Sequence, residues 1–309
     1  MSILQMFLGA GVISGPKITT TGVFFGGFNS NGTTLYNIVT RINICNAIVG
    51  SESNVGTARA YAGGANIGCN AVFYGGYLGP SSYSSTVTRI NKCGSLVGCQ
   101  TTAGTGRACL AGAKATTNGV YFGGGYTGHT AINLTTRINK CGSIVGSETN
   151  VGTGRGEPSG ANIGCNAVMY GGINVSSSIV NTVTRINNCG ALVGSETTAG
   201  TARDAFNGAK VGCNGLYYGG TTTTCCAVAT NKVTRINKCG ALVGSETTAG
   251  TARGYEGGAT VGCFGIFYAG SNFTGATYNT STKINKCGAI VGSETGIGTV
   301  RFGLAGAGV

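Results

Sequence analysis

Histidine and acidic side chains carry most acid–base catalysis, and this sequence contains few of either. Its 309 residues include one histidine, His129, and eight aspartates and glutamates. A Ser-His-Asp triad would need His129 beside an acid, but the single aspartate, Asp204, lies far along the chain. A glycosidase needs two carboxylates close together, whereas these acids are spread thinly along the sequence. No Cys-x-x-Cys pair accompanies the histidine. We therefore predict a protein that is not an enzyme and that binds no metal or other cofactor.

The chain repeats itself six times, at steps of about 48 residues. In each copy a Val-Thr-Arg-Ile-Asn segment, or a variant of it, supplies a first cation: Arg41, Arg89, Arg137, Arg185, Arg235 and Lys283. A second cation follows in every copy: Arg59, Arg107, Arg155, Arg203, Arg253 and Arg301. A glycine pair such as Gly75-Gly76 ends an apolar, aromatic run. Regular self-similarity of this kind indicates a repeat architecture.

Each repeat is predicted to form four short β-strands. A small, glycine-rich strand precedes an aromatic strand that stops at the glycine pair. The Val-Thr-Arg-Ile-Asn segment forms a third strand rich in β-branched residues, and a turn leads to the fourth. Four-stranded sheets repeated every 40 to 50 residues or so are typical of propellers. We predict an all-β, six-bladed β-propeller with four antiparallel strands per blade, and a stacked β-solenoid is the alternative.

The repeat resembles a Kelch repeat, in which an apolar strand ends in Gly-Gly and a fixed arginine precedes the next inner strand. The likeness covers about residues 15–309. This chain departs from the Kelch pattern in lacking tryptophan, and it has a tyrosine after the glycine pair only as Tyr36, Tyr83 and Tyr278. The resemblance implies the propeller architecture, and it does not imply the adaptor roles of Kelch proteins.

The inner strand occurs once more than the other strands, which bears on how the ring closes. Residues 302–309 match an inner strand, and we predict that this terminal strand pairs with Val23-Phe24-Phe25 and closes the ring. Residues 1–14 would then form an N-terminal arm. The alternative places residues 15–18 as the first inner strand and leaves the C-terminus loose. The predicted single propeller spans 15–309, with units of about 15–59, 60–107, 108–155, 156–203, 204–253 and 254–301, and a closing strand at 302–309.

The net charge is +12, from 20 lysines and arginines against eight acids. Twelve cations occupy the two repeated positions, and a third position holds Lys92, Lys140, Lys238 and Lys286. Five glutamates precede the second arginine of their own units by seven residues: Glu52, Glu148, Glu196, Glu246 and Glu294. We expect Arg–Glu pairs that serve the fold and predict no binding of nucleic acid, while attraction to an acidic surface stays open. No apolar run is long enough to span a membrane, so we expect no membrane insertion.

Fourteen cysteines are present, and most fall in two predicted turns of the repeat. Both turns of a blade lie on the same propeller face, so disulfides are conceivable if the Cα atoms are about 4.4 to 6.8 Å apart. The candidate pairs are Cys69–Cys93, Cys165–Cys189, Cys213–Cys239 and Cys263–Cys287. The alternative is that cysteine is a small side chain copied with the repeat.

The connections between the second and third strands vary most among the copies. They contain the candidate binding residues Tyr77, Tyr83, Tyr126, His129, Phe273 and Tyr278. Variable loops on a rigid scaffold are where binding is usually found, and aromatic side chains suit contacts with sugars or proteins. We predict a binding face there, opposite the cysteine turns. Loops that vary without any selection are the alternative.

Together these features predict a non-enzymatic structural and adhesive component of an extracellular assembly. The low content of charged residues and the near-identical, Gly/Thr/Asn-rich units resemble those of phage virion and tail-associated repeat proteins. That resemblance implies a tail, fibre or decoration protein that docks to other structural proteins through residues 1–14 or the terminal strand. Its loops would contact a host-surface glycan or protein. The first residues lack a basic segment, so we expect no signal peptide and assembly in the host cytoplasm. The alternatives are an intracellular Kelch-like adaptor and a lectin-like, glycan-binding propeller.

Overall fold

The computed structural model describes residues 20–125, 131–223 and 228–309. The regular structure in these ranges is all β-strand, and within them no helix is long and apolar enough to cross a membrane. Six sheets of four antiparallel strands are present, and their inner strands contact one another in a closed cycle. The predicted all-β, six-bladed propeller is therefore confirmed. The predicted N-terminal arm at 1–14 and the alternative inner strand at 15–18 lie outside the described residues.

Every blade has the same order of strands, from an inner strand at the axis to a short outer strand at the rim. For blades one to six, the inner strands are Ala305–Gly308, Gly63–Ile67, Ala111–Ala115, Ser159–Ile163, Asn207–Val211 and Gly257–Val261. The second strands are Thr21–Phe25, Asn70–Tyr74, Asn118–Phe122, Asn166–Tyr170, Asn214–Tyr218 and Phe264–Ser271. The third strands are Ile38–Asn43, Thr86–Ile90, Leu134–Ile138, Thr182–Ile186, Lys232–Ile236 and Thr277–Ile284. The outer strands are Ser53–Asn54, Thr101–Thr102, Thr149–Asn150, Thr197–Thr198, Thr247–Thr248 and Thr295–Gly296. Two short ribbons lie outside the blades, Tyr77–Gly79 with Ser82–Tyr83 and Arg155–Gly156 with Ile173–Asn174.

The C-terminal strand closes the ring as predicted. Ala305–Gly308 pairs antiparallel with Thr21–Phe25, and Val23 lies opposite Ala307. Blade one therefore takes its inner strand from the end of the chain and its other three strands from the beginning. This pairing covers the edge that the second strand of blade one would otherwise expose.

The asparagine of the Val-Thr-Arg-Ile-Asn segment starts the turn between the third and outer strands. In blade two, the Asn91 Oδ1 atom accepts hydrogen bonds from the backbone N–H groups of Cys93 and Ser95 at 2.9 and 3.1 Å. An asparagine side chain that stands in for a backbone acceptor is typical of tight turns. The same pair of bonds forms at Asn43, Asn139, Asn187, Asn237 and Asn285.

Six glycines, one from each inner strand, bring the blades into backbone contact at the axis. We call them the axial glycines: Gly64, Gly112, Gly160, Gly208, Gly258 and Gly306. A Cβ atom on Gly112 would lie 2.6 Å from the carbonyl oxygen of Gly64, and each of the others would meet the backbone of its neighbour as closely. Since no side chain fits in that space, the repeat requires glycine here, and the inner strands of neighbouring blades are in backbone contact.

The second cation of each repeat joins two neighbouring blades, and we call these six residues the boundary arginines. All six are completely buried. The guanidinium group of Arg107 lies over the ring of Tyr74 in blade two, 5.3 Å from its centre. The same group donates hydrogen bonds to the carbonyl oxygens of Gly123 and Tyr121 in blade three, at 2.9 and 3.0 Å. Equivalent stacking occurs at every boundary. These arginines therefore serve the fold.

The glutamates pair with arginines, but the expected pairing within each sequence unit is wrong. Glu148 lies 3.2 Å from Arg107 of the preceding unit, and not beside Arg155 of its own. The reason is that the sequence units and the blades do not begin at the same residue. Each boundary arginine ends one sequence unit and lies just before the inner strand of the next blade. Burial raises the pKa of Glu148, but hydrogen bonds from Thr105 and Thr136 and the charge of Arg107 outweigh it. Its pKa therefore lies below the usual value.

Blade two differs from the other five because Gln100 stands where they have glutamate. The Gln100 Nε2 atom donates to the Thr88 hydroxyl at 2.6 Å, and its Oε1 atom accepts from Thr57 at 3.0 Å. Among the described residues, the Nε and Nη1 atoms of Arg59 have no hydrogen-bond partner. Burial lowers the pKa of Arg59 to about 9. This boundary arginine therefore lacks the carboxylate that its equivalents have.

Replacing an axial glycine should destabilise the ring. We expect Gly112→Ala to lower the free energy of unfolding by about 1 to 3 kcal/mol, because the new methyl group overpacks the axis. Gly156→Ala is the matched control, since a Cβ there meets nothing within 4 Å. Urea unfolding followed by circular dichroism measures both variants. Equal stability of the two variants would contradict the backbone contact between the inner strands.

Restoring the missing carboxylate should stabilise blade two. We expect Gln100→Glu to raise the free energy of unfolding by about 1 kcal/mol, because Arg59 gains a charged partner. The reciprocal change Glu148→Gln should lower it by about 1 to 3 kcal/mol, since it leaves Arg107 buried without one. Urea unfolding at pH 7 compares the two variants, and changes of the same sign would refute the boundary pairing.

Candidate functional site

Six residues form a ring around the axis, each two positions after a boundary arginine. We call them the axial ring: Tyr61, Cys109, Glu157, Ala205, Tyr255 and Gly303. All six have positive φ angles, between 54° and 69°. The left-handed conformation costs roughly 1 to 2 kcal/mol for a residue with a side chain, and five of the six are not glycine. Strained backbone that the surrounding structure holds in place is typical of ligand sites.

Backbone hydrogen bonds explain why the axial ring takes this conformation. The N–H group of Cys109 donates to the carbonyl oxygen of Tyr61 at 3.0 Å, and that of Glu157 donates to Cys109 at 2.8 Å. Bonds of the same kind join Tyr61 to Gly303, Gly303 to Tyr255 and Tyr255 to Ala205. In these five residues the left-handed turn points the N–H group at the preceding blade. Residues of five different types are thereby held at one end of the axis.

The glycine pairs bring the variable loops to the same end. Gly76 donates its N–H to the carbonyl oxygen of Arg107 at 2.8 Å, and a Cβ on Gly75 would lie 2.5 Å from that oxygen. The residue after each boundary arginine then forms backbone β-sheet pairing with the residue after a glycine pair. Ala60 and Tyr77 pair in this way. The second-to-third strand connections therefore surround the axial ring, and we call this side of the disc the loop face.

A cavity of about 340 Å³ opens between the axial ring and these loops. Its aromatic wall consists of Phe28, Tyr61, Tyr77, Tyr83 and Phe302 from blades one and two. The ring of Phe28 stacks on that of Phe302 at 5.5 Å and also contacts Tyr61 and Tyr77. The opposite wall includes Glu157 of blade four and Ile173. The cavity therefore combines several aromatic faces with one carboxylate.

The carboxylate of Glu157 is held in place by a neighbour in the axial ring. The Tyr255 hydroxyl lies 3.1 Å from both carboxylate oxygens and donates to them. The Glu157 side chain is mostly buried, with 8% of its residue surface exposed. A fixed carboxylate beside aromatic rings can orient a ligand that carries hydroxyl or amino groups.

Two further acids lie beneath the axial ring, and both are buried. Burial, together with the charge of Glu157, raises the pKa of Asp204 to about 8. Burial also raises the pKa of Glu256 to about 8, although Arg253 acts against it. Asp204 does not line the cavity. Among the described lining residues, Glu157 is thus the acid that a ligand can reach.

Some of the binding residues predicted from the sequence line the cavity, and others lie outside it. Tyr77 and Tyr83 line the cavity, and the ring of Phe273 packs against Tyr255 at 5.3 Å. Tyr278 lies in the third strand of blade six, outside the lining. Tyr126 and His129 lie outside the described residues. The predicted binding face remains a prediction.

Sequence reasoning missed Phe28, Tyr61, Glu157, Tyr255 and Phe302. Four of them lie one or two positions after a boundary arginine, where residue type changes from copy to copy. Variation inside an otherwise uniform repeat was the signal that could have found them, in the same way that it picked out the loops.

In the described ranges, the structure shows no disulfide at any of the predicted cysteine pairs. The candidate pairs are formed by Cys69, Cys93, Cys165, Cys189, Cys213, Cys239, Cys263 and Cys287, and the structure gives them no support. The two turns of one blade are separated by two strand spacings, about 10 Å, which is too far for a disulfide. The inner turn instead approaches the next blade, where Thr117 lies 3.5 Å from Asn188. In the ranges described, no group of three or more His, Cys, Asp or Glu residues could hold a metal ion.

The buried acids should give the stability a pH dependence of known sign. Since the pKa of Glu256 is raised, its proton favours the folded state, and that contribution is lost as pH rises from about 4.5 to about 8. We expect Glu256→Gln to lose less stability than the parent protein between pH 5 and pH 8, by more than about 1 kcal/mol. Unfolding by urea at several pH values measures the difference.

Glu148→Gln is the control with the opposite sign. The pKa of Glu148 is lowered, so its contribution is present at neutral pH and lost as pH falls below about 4.5. This variant should therefore differ most from the parent protein at neutral pH and least in acid. Parallel stability curves for all three proteins would refute these assignments.

The comparisons with known proteins do not assign this chain to a family. No protein-family model matches the chain, and no curated protein matches its sequence. The assignment that stands is therefore the six-bladed β-propeller itself.

Proposed function

We propose that this propeller is a non-enzymatic adhesive module of an extracellular assembly. We further propose that it binds a saccharide on its loop face, in the cavity between the axial ring and the loops. The observation that carries the proposal is the cavity itself, in which an aromatic wall faces one fixed carboxylate. Its size falls at the lower end of the range, about 300 to 1,000 Å³, that is common for small-molecule sites.

A sugar ring matches both walls of the cavity. The apolar C–H face of a pyranose can stack on Tyr77 or Phe28, as amphipathic rings do at binding sites. Its hydroxyl groups can donate to Glu157 and exchange hydrogen bonds with the phenols of Tyr61 and Tyr83. The strained axial ring holds these groups in place before the ligand arrives, which lowers the entropic cost of binding.

The proposal is for binding and not for catalysis. Hydrolysis of a glycoside needs two carboxylates that flank the scissile bond. The cavity lining presents Glu157, whereas the Asp204 side chain is buried away from it. A ligand would thus meet one acid and several aromatic rings, which favours binding of the ligand over its hydrolysis.

The proposed setting is a phage virion, as part of a tail, fibre or decoration, built on a Kelch-like repeat. Support comes from the uniform repeats and the low content of charged residues. Electron microscopy of the native particle, with antibody against this chain, tests that setting independently of any ligand.

Removing one aromatic ring from the cavity should weaken saccharide binding. A glycan array first identifies the sugar, and isothermal titration calorimetry then measures its affinity. We expect Tyr77→Ala to weaken binding by about tenfold, because the stacking surface is lost. Tyr278→Ala is the matched control, since it removes a loop-face tyrosine outside the cavity lining. Equal losses in the two variants, or an array without any bound glycan, would contradict the proposal.

A further inference from the structure

Opposite the loop face, the disc carries almost all of its unbalanced charge. We call this side the turn face, since it holds the turns that join the first strand to the second and the third to the outer. Twelve cations lie in these turns or in the adjoining ends of the strands: Arg41, Arg89, Lys92, Lys114, Arg137, Lys140, Arg185, Lys210, Arg235, Lys238, Lys283 and Lys286. Among them, the four lysines in the turns between third and outer strands, Lys92, Lys140, Lys238 and Lys286, are exposed.

The acids are distributed differently. All eight lie in the described residues, and five of them are at the outer strands, where they bind threonines and boundary arginines. The other three are Glu157, Asp204 and Glu256 at the axial ring. These eight acids are nearly balanced by the six buried boundary arginines and Lys232. The net charge of +12 is therefore concentrated on the turn face.

The cations of the turn face are not neutralised within the described chain. Arg185 donates to the carbonyl oxygen of Ser195 at 3.3 Å, and Arg235 donates to that of Ser245 at 3.2 Å. Lys283 donates to the carbonyl oxygen of Ile44 at 3.3 Å. These partners orient the side chains but leave their charge in place. Since like charges on one surface repel, the face gains stability when an acidic surface covers it.

We propose that the turn face docks on an acidic protein surface, one rich in aspartate and glutamate side chains. The cations repeat around a closed ring, so a broad partner can meet all six blades at once. A nucleic-acid duplex is a linear array of phosphates and would reach only the blades along one line.

A further observation favours a protein over nucleic acid as the occupant. Single-stranded nucleic acid needs exposed aromatic rings on which its bases can stack. In the described turns of this face the aromatic residue is Phe264, and the Lys283 ammonium group already covers it at 4.9 Å.

Lysine footprinting tests which face is covered. The purified protein is mixed with poly-L-glutamate at about 0.05 M salt, where charge attraction is weakly screened, and is acetylated briefly and mapped by mass spectrometry. We expect protection of Lys92, Lys140, Lys238 and Lys286, and none at Lys232, which lies toward the loop face beside Glu246. Uniform protection of all five lysines, or protection of none, would overturn the proposal.

Charge removal gives a second, quantitative readout. The quadruple variant Lys92→Gln, Lys140→Gln, Lys238→Gln and Lys286→Gln should bind poly-L-glutamate about 16-fold more weakly, at about twofold for each of the four exposed ion pairs. Lys232→Gln is the control and should bind as the parent protein does. All four lysines are exposed, so the fold should survive, and unchanged circular dichroism confirms it.

A third arm identifies the occupant. Binding to duplex DNA is compared with binding to poly-L-glutamate. Both are measured at equal charge concentration and at the same salt concentration, about 0.15 M. Binding to poly-L-glutamate that equals or exceeds binding to DNA supports an acidic protein partner. Retention of DNA without retention of poly-L-glutamate would overturn it in favour of nucleic acid. These results are independent of saccharide binding, because the cavity lies on the other face of the disc.

Discussion

The close approach of six backbones at the axis is the constraint on which the rest of the structure depends. The axial glycines allow the inner strands to touch, and that contact fixes how near neighbouring blades lie to one another. Blades at this spacing bury both faces of their second strands, which explains the continuous apolar run Val72-Phe73-Tyr74 where an exposed sheet would alternate. The same spacing buries the boundary arginines completely.

Burying six guanidinium groups is costly unless each is paired and hydrogen-bonded. The fold meets this need by placing every boundary arginine between an aromatic ring of one blade and carbonyl oxygens of the next. Five outer strands supply a glutamate nearby, and its own pKa is lowered by the threonines and the arginine around it. Blade two shows that the carboxylate is not essential, since Arg59 remains buried beside Gln100 with fewer partners.

The repeat predicted the blades, the strand order and the closing strand, because each depends on local patterns that recur. It did not predict contacts that cross from one blade to another. The Glu148–Arg107 pair joins two sequence units, and the turn cysteines are separated by strands that only the sheet order reveals. The axial ring was missed for a different reason. Left-handed backbone at Tyr61 or Glu157 contradicts local preference, and only the hydrogen bonds between blades make it favourable.

A sixfold scaffold can still build an asymmetric site, and the axial ring shows how. Its backbone is the same in every blade, so the side chains at these positions can differ without disturbing the fold. Tyrosine and phenylalanine from blades six, one and two gather on one side, and Glu157 of blade four faces them across the axis. On the turn face the opposite holds, because the cations recur from blade to blade. One face is therefore suited to a small, oriented ligand, and the other to a broad surface of opposite charge.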